Sequence, residues 1–120
     1  IDDANGVITF AGSIPDGSKV RFTHVEREDI IEAAGISARK AYERYSGSDP
    51  QSLMVFSCAA RKWRLGAQVH REYKALSDWL LQTCGPMPVS GFYSFGEIAP
   101  RNGRTYFHNE TCVSLLVGAQ

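Results

Sequence analysis

The chain predicts an α+β domain in which two helices pack on a mixed, mostly antiparallel sheet, in the order β-β-α-β-α-β-β. Three observations carry that expectation. Apolar and polar residues alternate from Val20 to Val25, the period of a half-buried strand. Apolar residues then recur every three or four places from Ile30 to Tyr45, the period of an amphipathic helix. Leu53–Cys58 is an apolar run broken only by Ser57, expected of an interior strand covered on both faces or nearly so.

The elements follow in order. Gly6–Gly12 contains a short strand, Val-Ile-Thr-Phe-Ala, and Ile14-Pro15-Asp16-Gly17 is a turn in which Pro presets φ and Gly closes the loop. With Val20–Val25 they form a first hairpin. The first helix carries Ile30, Ile31, Ala34, Ala38, Ala41, Tyr42 and Tyr45, and its alanines suit close packing on a sheet; Ser46–Pro50 ends it. After the central strand, Ala59–Gly66 reads as a basic connection containing Arg61, Lys62, Trp63 and Arg64. A second helix places Val69, Tyr73, Leu76 and Leu80 on one face, and Gly85-Pro86 stops it.

The last part is a second hairpin around Pro100 and Asn102-Gly103, a strong tight-turn signal. Gly91 and Gly96 weaken the strand that carries them, which marks a bulge or the close approach of another group. The return strand is expected to run on through Cys112 to Val117. Without a bulge, Phe107, Asn109, Thr111, Val113, Leu115 and Val117 share one face, with the Val/Leu end in the core. Asn109 and Thr111 then interrupt an apolar row, as in a small-molecule pocket with a few convergent polar groups, or as strand-end residues satisfying backbone. His108 falls on the opposite face.

Composition narrows the function classes. Thirteen basic and thirteen acidic side chains cancel, which removes the electrostatic footprint expected for nucleic acid or an anionic membrane. No apolar run approaches a membrane span, and no signal peptide is legible. The three cysteines (Cys58, Cys84, Cys112) form no Cys-x-x-Cys and the three histidines lack ligand spacing, so neither a metal nor a cofactor is expected. This cysteine usage favours a reducing, cytoplasmic setting. Residues 1–120 read as one domain, and the opening Ile-Asp-Asp without Met reads as an excised piece of a longer chain.

Two segments carry a family resemblance. Gly91-Phe92-Tyr93, Gly96-Glu97-Ile98 and Pro100, followed by Phe107-His108-Asn109 and Thr111, resemble the closing motif of the C-terminal domain of the FIST family, F-box and intracellular signal transduction proteins. Val55–Ala59, Arg61, Leu65-Gly66 and Glu72 resemble that domain's central strand-to-helix segment. The resemblance implies a sensory domain for an amino acid or similar small metabolite, working beside a FIST N-terminal domain or a signalling output domain. The ligand-binding candidates on those segments are Cys58, Arg61 and Arg64 in the central connection, with Tyr93, Gly96, Glu97, His108, Asn109 and Thr111 in the closing motif. Arg61 or Arg64 would clamp a ligand carboxylate, and Glu97, placed beside the turn, would meet an ammonium group or anchor one of those arginines.

Two rival classes remain. A cysteine enzyme would use Cys58 as nucleophile, His108 as base, and Asn109 or Glu97 to orient it. Against it, one cysteine and one histidine occur in most chains, and cysteine often serves as a small core hydrophobe; the expectation is a non-enzyme. A protein-interaction module would present Trp63, hard to explain as core, or Trp79, near the edge of the second helix's apolar face.

Overall fold

Ile30, Ala34 and Ala38 form the buried stripe of the first helix, α1 (Arg27–Glu43), in a computed structural model that describes residues 2–10 and 12–119. The helix starts where the backbone N–H of Glu26 donates to the Asp29 carboxylate at 2.9 Å. Glu28 and Asp29 in its first turn and Lys40 in its last complement the helix dipole. Its small residues let it approach the sheet closely.

The sheet has three strands, ordered β2 (Val89–Ser94), β1 (Asp49–Cys58), β5 (Cys112–Ala119). β1 pairs in parallel with β2 and antiparallel with β5. Between β1 and β2 the chain crosses over through α2 (Ala59–Leu65), a 3-10 turn (Gly66–Gln68) and α3 (Val69–Cys84). The remaining strands, β3 (Glu97–Arg101) and β4 (Arg104–His108), form a separate hairpin. Its turn is Asn102–Gly103, with φ of 52° and 75°, the conformation that made Asn-Gly a turn signal.

Alternation along β1 sends Leu53, Val55 and Ser57 to the side of α1 and α3, together with Leu116 of β5. The core joins Leu53, Val55 and Leu116 to Ala34, Ala38, Leu76 and Leu80. Tyr45 fastens one end of it, its hydroxyl donating to the carbonyls of Ala119 at 2.8 Å and Asp49 at 3.2 Å.

The α+β class and the layering of helices on a mixed sheet are those predicted. The N-terminal hairpin is not. Among residues 2–10 and 12–26 the structure shows an isolated bridge between Asp2 and Val7 and a turn closed by Ser18 N–H on the Pro15 carbonyl, but no strand. Part of the expected first strand, Ala11, lies outside the described residues. Val20–Val25 joins no sheet and leaves Val20 and Phe22 exposed, because alternation favours a strand only where a sheet edge receives it.

Four further expectations change. β1 is interior to its sheet but covered by helices on one face; Met54 on the other face is exposed. The strand begins at Asp49, so Pro50 lies within it, where the register with β5 shifts. The basic connection after β1 is itself helical, as α2. Finally, both strands of the closing motif are broken. A bend at Phe95–Gly96 separates β2 from β3, and one at Asn109–Glu110, where Glu110 has φ of 57°, separates β4 from β5. That second break resets the alternation. Leu116 faces the core while Leu115 and Val117 are exposed on the open face.

Candidate functional site

Ser57 lies on the helix side of β1, and the first turns of α2 and α3 bring Arg61 and Glu72 over it. Both charged groups are buried, at 6% and 2% exposure. Arg61 donates to Glu72 Oε1 from Nη2 at 2.6 Å and from Nε at 2.9 Å, and Nη2 also reaches the Ile30 carbonyl at 2.9 Å. The Ser57 hydroxyl donates to the same Oε1 at 3.0 Å and accepts from Arg61 Nε at 3.2 Å. Tyr93 of β2 donates its hydroxyl to Glu72 Oε2 at 2.8 Å. One carboxylate thus ties α1, α2, α3, β1 and β2 together. Each oxygen of the buried carboxylate has at least one donor, which offsets part of the cost of burying the pair. Burial first, and the bond to Glu72 second, push the Tyr93 hydroxyl well above the ordinary phenol range.

This network closes one end of a cleft of about 390 Å³ between α3 and the edge strand β2. Val55, Leu76, Val89 and Phe92 give it apolar walls, while Ser57, Glu72 and Tyr93 give it polar ones. Oε1 of Glu72 receives three donors but Oε2 receives one, so Oε2 keeps room for another. Gly91 is needed here: a Cβ at that position would run into the Val55 carbonyl oxygen. The Lys62 ammonium stands 5.3 Å from the Tyr93 ring centroid, beside the polar end.

A second polar group lies where the β3–β4 hairpin meets the ends of β1 and β5. Glu97 is 2% exposed. Its Oε1 accepts from Ser94 Oγ at 2.9 Å, and its Oε2 accepts from Thr111 Oγ1 at 3.0 Å and the Thr111 N–H at 3.4 Å. Cys58, buried, directs Sγ at Asn109 Oδ1 across 3.8 Å. Asn109 Oδ1 also accepts the Glu110 N–H, so this amide braces the bend between β4 and β5.

The nine candidates from sequence therefore fall into separate places. Arg61 and Tyr93 share the Glu72 network; Cys58, Glu97, Asn109 and Thr111 share the hairpin junction. Arg64 is on the outer side of α2, donating to the Val25 carbonyl at 3.2 Å. His108 is half-buried on β4 with Nε2 3.3 Å from the Ala99 carbonyl. Gly96 makes the bend, and a Cβ there would stand 2.5 Å from the Phe107 ring, the close approach that the glycine signalled.

Several roles change with these positions. Arg61 is on a helix, and its partner is Glu72 rather than Glu97 or a solvent-facing ligand. Glu97 sits at the open end of its hairpin, opposite His108, not beside the turn. Asn109 stands outside any strand and is exposed, so it is no part of an apolar core row. The partners of Cys58 and His108 are Asn109 and Ala99 respectively, so the two are not bonded to each other.

Ser57 and Glu72 are the residues that sequence reasoning passed over as site members. A signal existed for Glu72, since stepping back four residues from Leu80 and Leu76 reaches Glu72, not Tyr73. Tyr73 is exposed instead, at the rim of the cleft. Among the described residues there is no cluster of His, Cys, Asp and Glu able to hold a metal, and no helix is long and apolar enough to cross a membrane.

Fold and site together define an α+β domain whose helices cover one sheet face and which opens a cleft beside a buried, hydrogen-bonded carboxylate. The family model for the FIST C domain matches residues 1–100, and the chain belongs to that family, a domain of signal-transduction proteins. The match takes in the N-terminal third, which carries no distinctive motif, and stops short of the Phe107–Thr111 segment. No curated protein and no solved structure matches the chain.

Proposed function

We propose that this domain is a non-enzymatic sensor that binds an amino acid or similar zwitterion in the cleft between α3 and β2. The supporting observation is the polar end of that cleft, where Glu72 Oε2 keeps acceptor capacity and the hydroxyls of Tyr93 and Ser57 converge on the same carboxylate. A ligand ammonium would complete Oε2, Lys62 would meet the carboxylate, and the apolar walls would take the side chain. The size suits such a ligand, since pockets for small molecules begin at roughly 300 Å³.

Signalling then follows by population shift. Tyr93 and Glu72 connect the cleft to the three helices, so a ligand that favours one geometry of this network favours one arrangement of α1, α2 and α3. The rest of a longer signalling protein, a FIST N-terminal domain or an output domain, would read it.

A thermal-shift series with amino acids, amines and small carboxylates tests the reading. Zwitterions should raise the midpoint more than amines or carboxylates alone, and Tyr93→Phe and Lys62→Ala should each reduce the rise. A rise equal in wild type and both variants would place the ligand elsewhere.

One observation favours a second reading, an interaction module. Trp63 is 71% exposed and packs edge-on against Phe95, itself 82% exposed, with ring centroids 5.9 Å apart. Exposed aromatic pairs of this kind serve as interface anchors.

A further inference from the structure

On the other side of the helix layer, α1 and the β3–β4 hairpin enclose a cleft of about 420 Å³ that the amino-acid reading does not use. Lys40 lines it from the last turn of α1, Arg44 from the cap that follows that turn, and Arg101 from the end of β3. No carboxylate lines this cleft, and none of the three cations has an ion pair among the described residues. The nearest acid along the hairpin is Glu97, which is buried and turned to Ser94 and Thr111.

Lys40 stands in the last turn of α1 and Arg44 is the residue that caps its C-terminus. The negative end of the α1 dipole explains cations at these two positions. It does not explain Arg101, which a separate hairpin brings to the same cleft. Ser37, Thr111 and the half-buried imidazole of His108 add polar groups to the wall.

We infer that this cleft binds a small, multiply charged oxyanion, such as a dicarboxylate or a phosphate ester, clamped between Lys40 and Arg44 on one side and Arg101 on the other. The guanidinium groups supply planar paired donors for carboxylate or phosphate, and closing on the anion would join the hairpin to α1.

The test is a titration of the domain with inorganic phosphate, succinate and citrate, against sodium chloride at matched ionic strength, followed by thermal midpoint and calorimetry. At least one oxyanion should give saturable stabilisation of several degrees that chloride does not, and its identity separates phosphate from carboxylate ligands. Arg101→Glu, an exposed change, should weaken that binding at least tenfold. Arg39→Glu, on α1 but off the cleft, should leave it within about twofold. Stabilisation by none of the three, or equal weakening by both variants, would overturn the inference. Because Tyr93→Phe leaves this cleft intact, it should bind the oxyanion as the wild type does.

Discussion

Replacing Glu72 with alanine leaves the buried Arg61 guanidinium with only Ser57 and the Ile30 carbonyl as partners. Breaking a buried pair in this way costs about 3–5 kcal/mol. Urea unfolding should show a loss of that size for Glu72→Ala. The double variant Arg61→Met, Glu72→Leu should recover much of it, and a double variant no better than the single would contradict the pairing. A second residue-scale prediction concerns Cys112, whose thiol burial pushes up to about 11. An unfolded thiol ionises near about 8.5, so between these values the native state holds the extra proton and stability falls as pH rises. Midpoints recorded from pH 8 to 11 should therefore drop more steeply for the wild type than for Cys112→Ala. At pH 8 native Cys112 should also alkylate more slowly than a free thiol.

Elements differ in how plainly the sequence announced them. α1 and α3 were legible because each carries its own period, and β1 because a run of apolar residues broken only by Ser57 admits few other readings. The N-terminal alternation at Val20–Val25 was equally clear as a pattern. However, a strand also needs a partner edge, which is a tertiary property. Hydrogen exchange separates the two cases: amides from Lys19 to His24 should exchange with little protection, while those of Leu53–Cys58 should be among the slowest. Protection at 19–24 comparable to β1 would mean that the segment pairs after all. The closing motif shows the opposite difficulty. Its glycines signal close approach correctly, but strict alternation does not survive the bend at Asn109–Glu110, so Leu115 and Val117 lie on the open face rather than in the core. At Gly91 the approach is tight enough to test, since Gly91→Ala should lower the midpoint by several degrees through displacement of β2 from Val55.

Across the whole molecule, chemistry gathers at the boundaries between elements rather than along any one of them. The central connection and the closing motif each contribute to a buried polar network, yet residues close together in sequence separate in space. Arg61 and Tyr93 meet only through Glu72, while Glu97 and Thr111 meet each other on the far side of β1. Sequence spacing fixes which side chains share a helix or strand face; it does not say which faces meet. The Glu72 network links those faces, because it reaches five elements and borders the α3–β2 cleft. If that cleft is the sensor's pocket, ligand binding is felt by all three helices at once.

The most direct test is a two-dimensional amide NMR titration of the domain with the zwitterion that stabilises it best. Binding at the α3–β2 cleft predicts saturable shifts concentrated at Val89–Tyr93 and Glu72–Leu76, spreading through Arg61 to Ile30, and saturating only at higher ligand concentration in Tyr93→Phe. Shifts confined to other surfaces, or none at millimolar ligand, would contradict it.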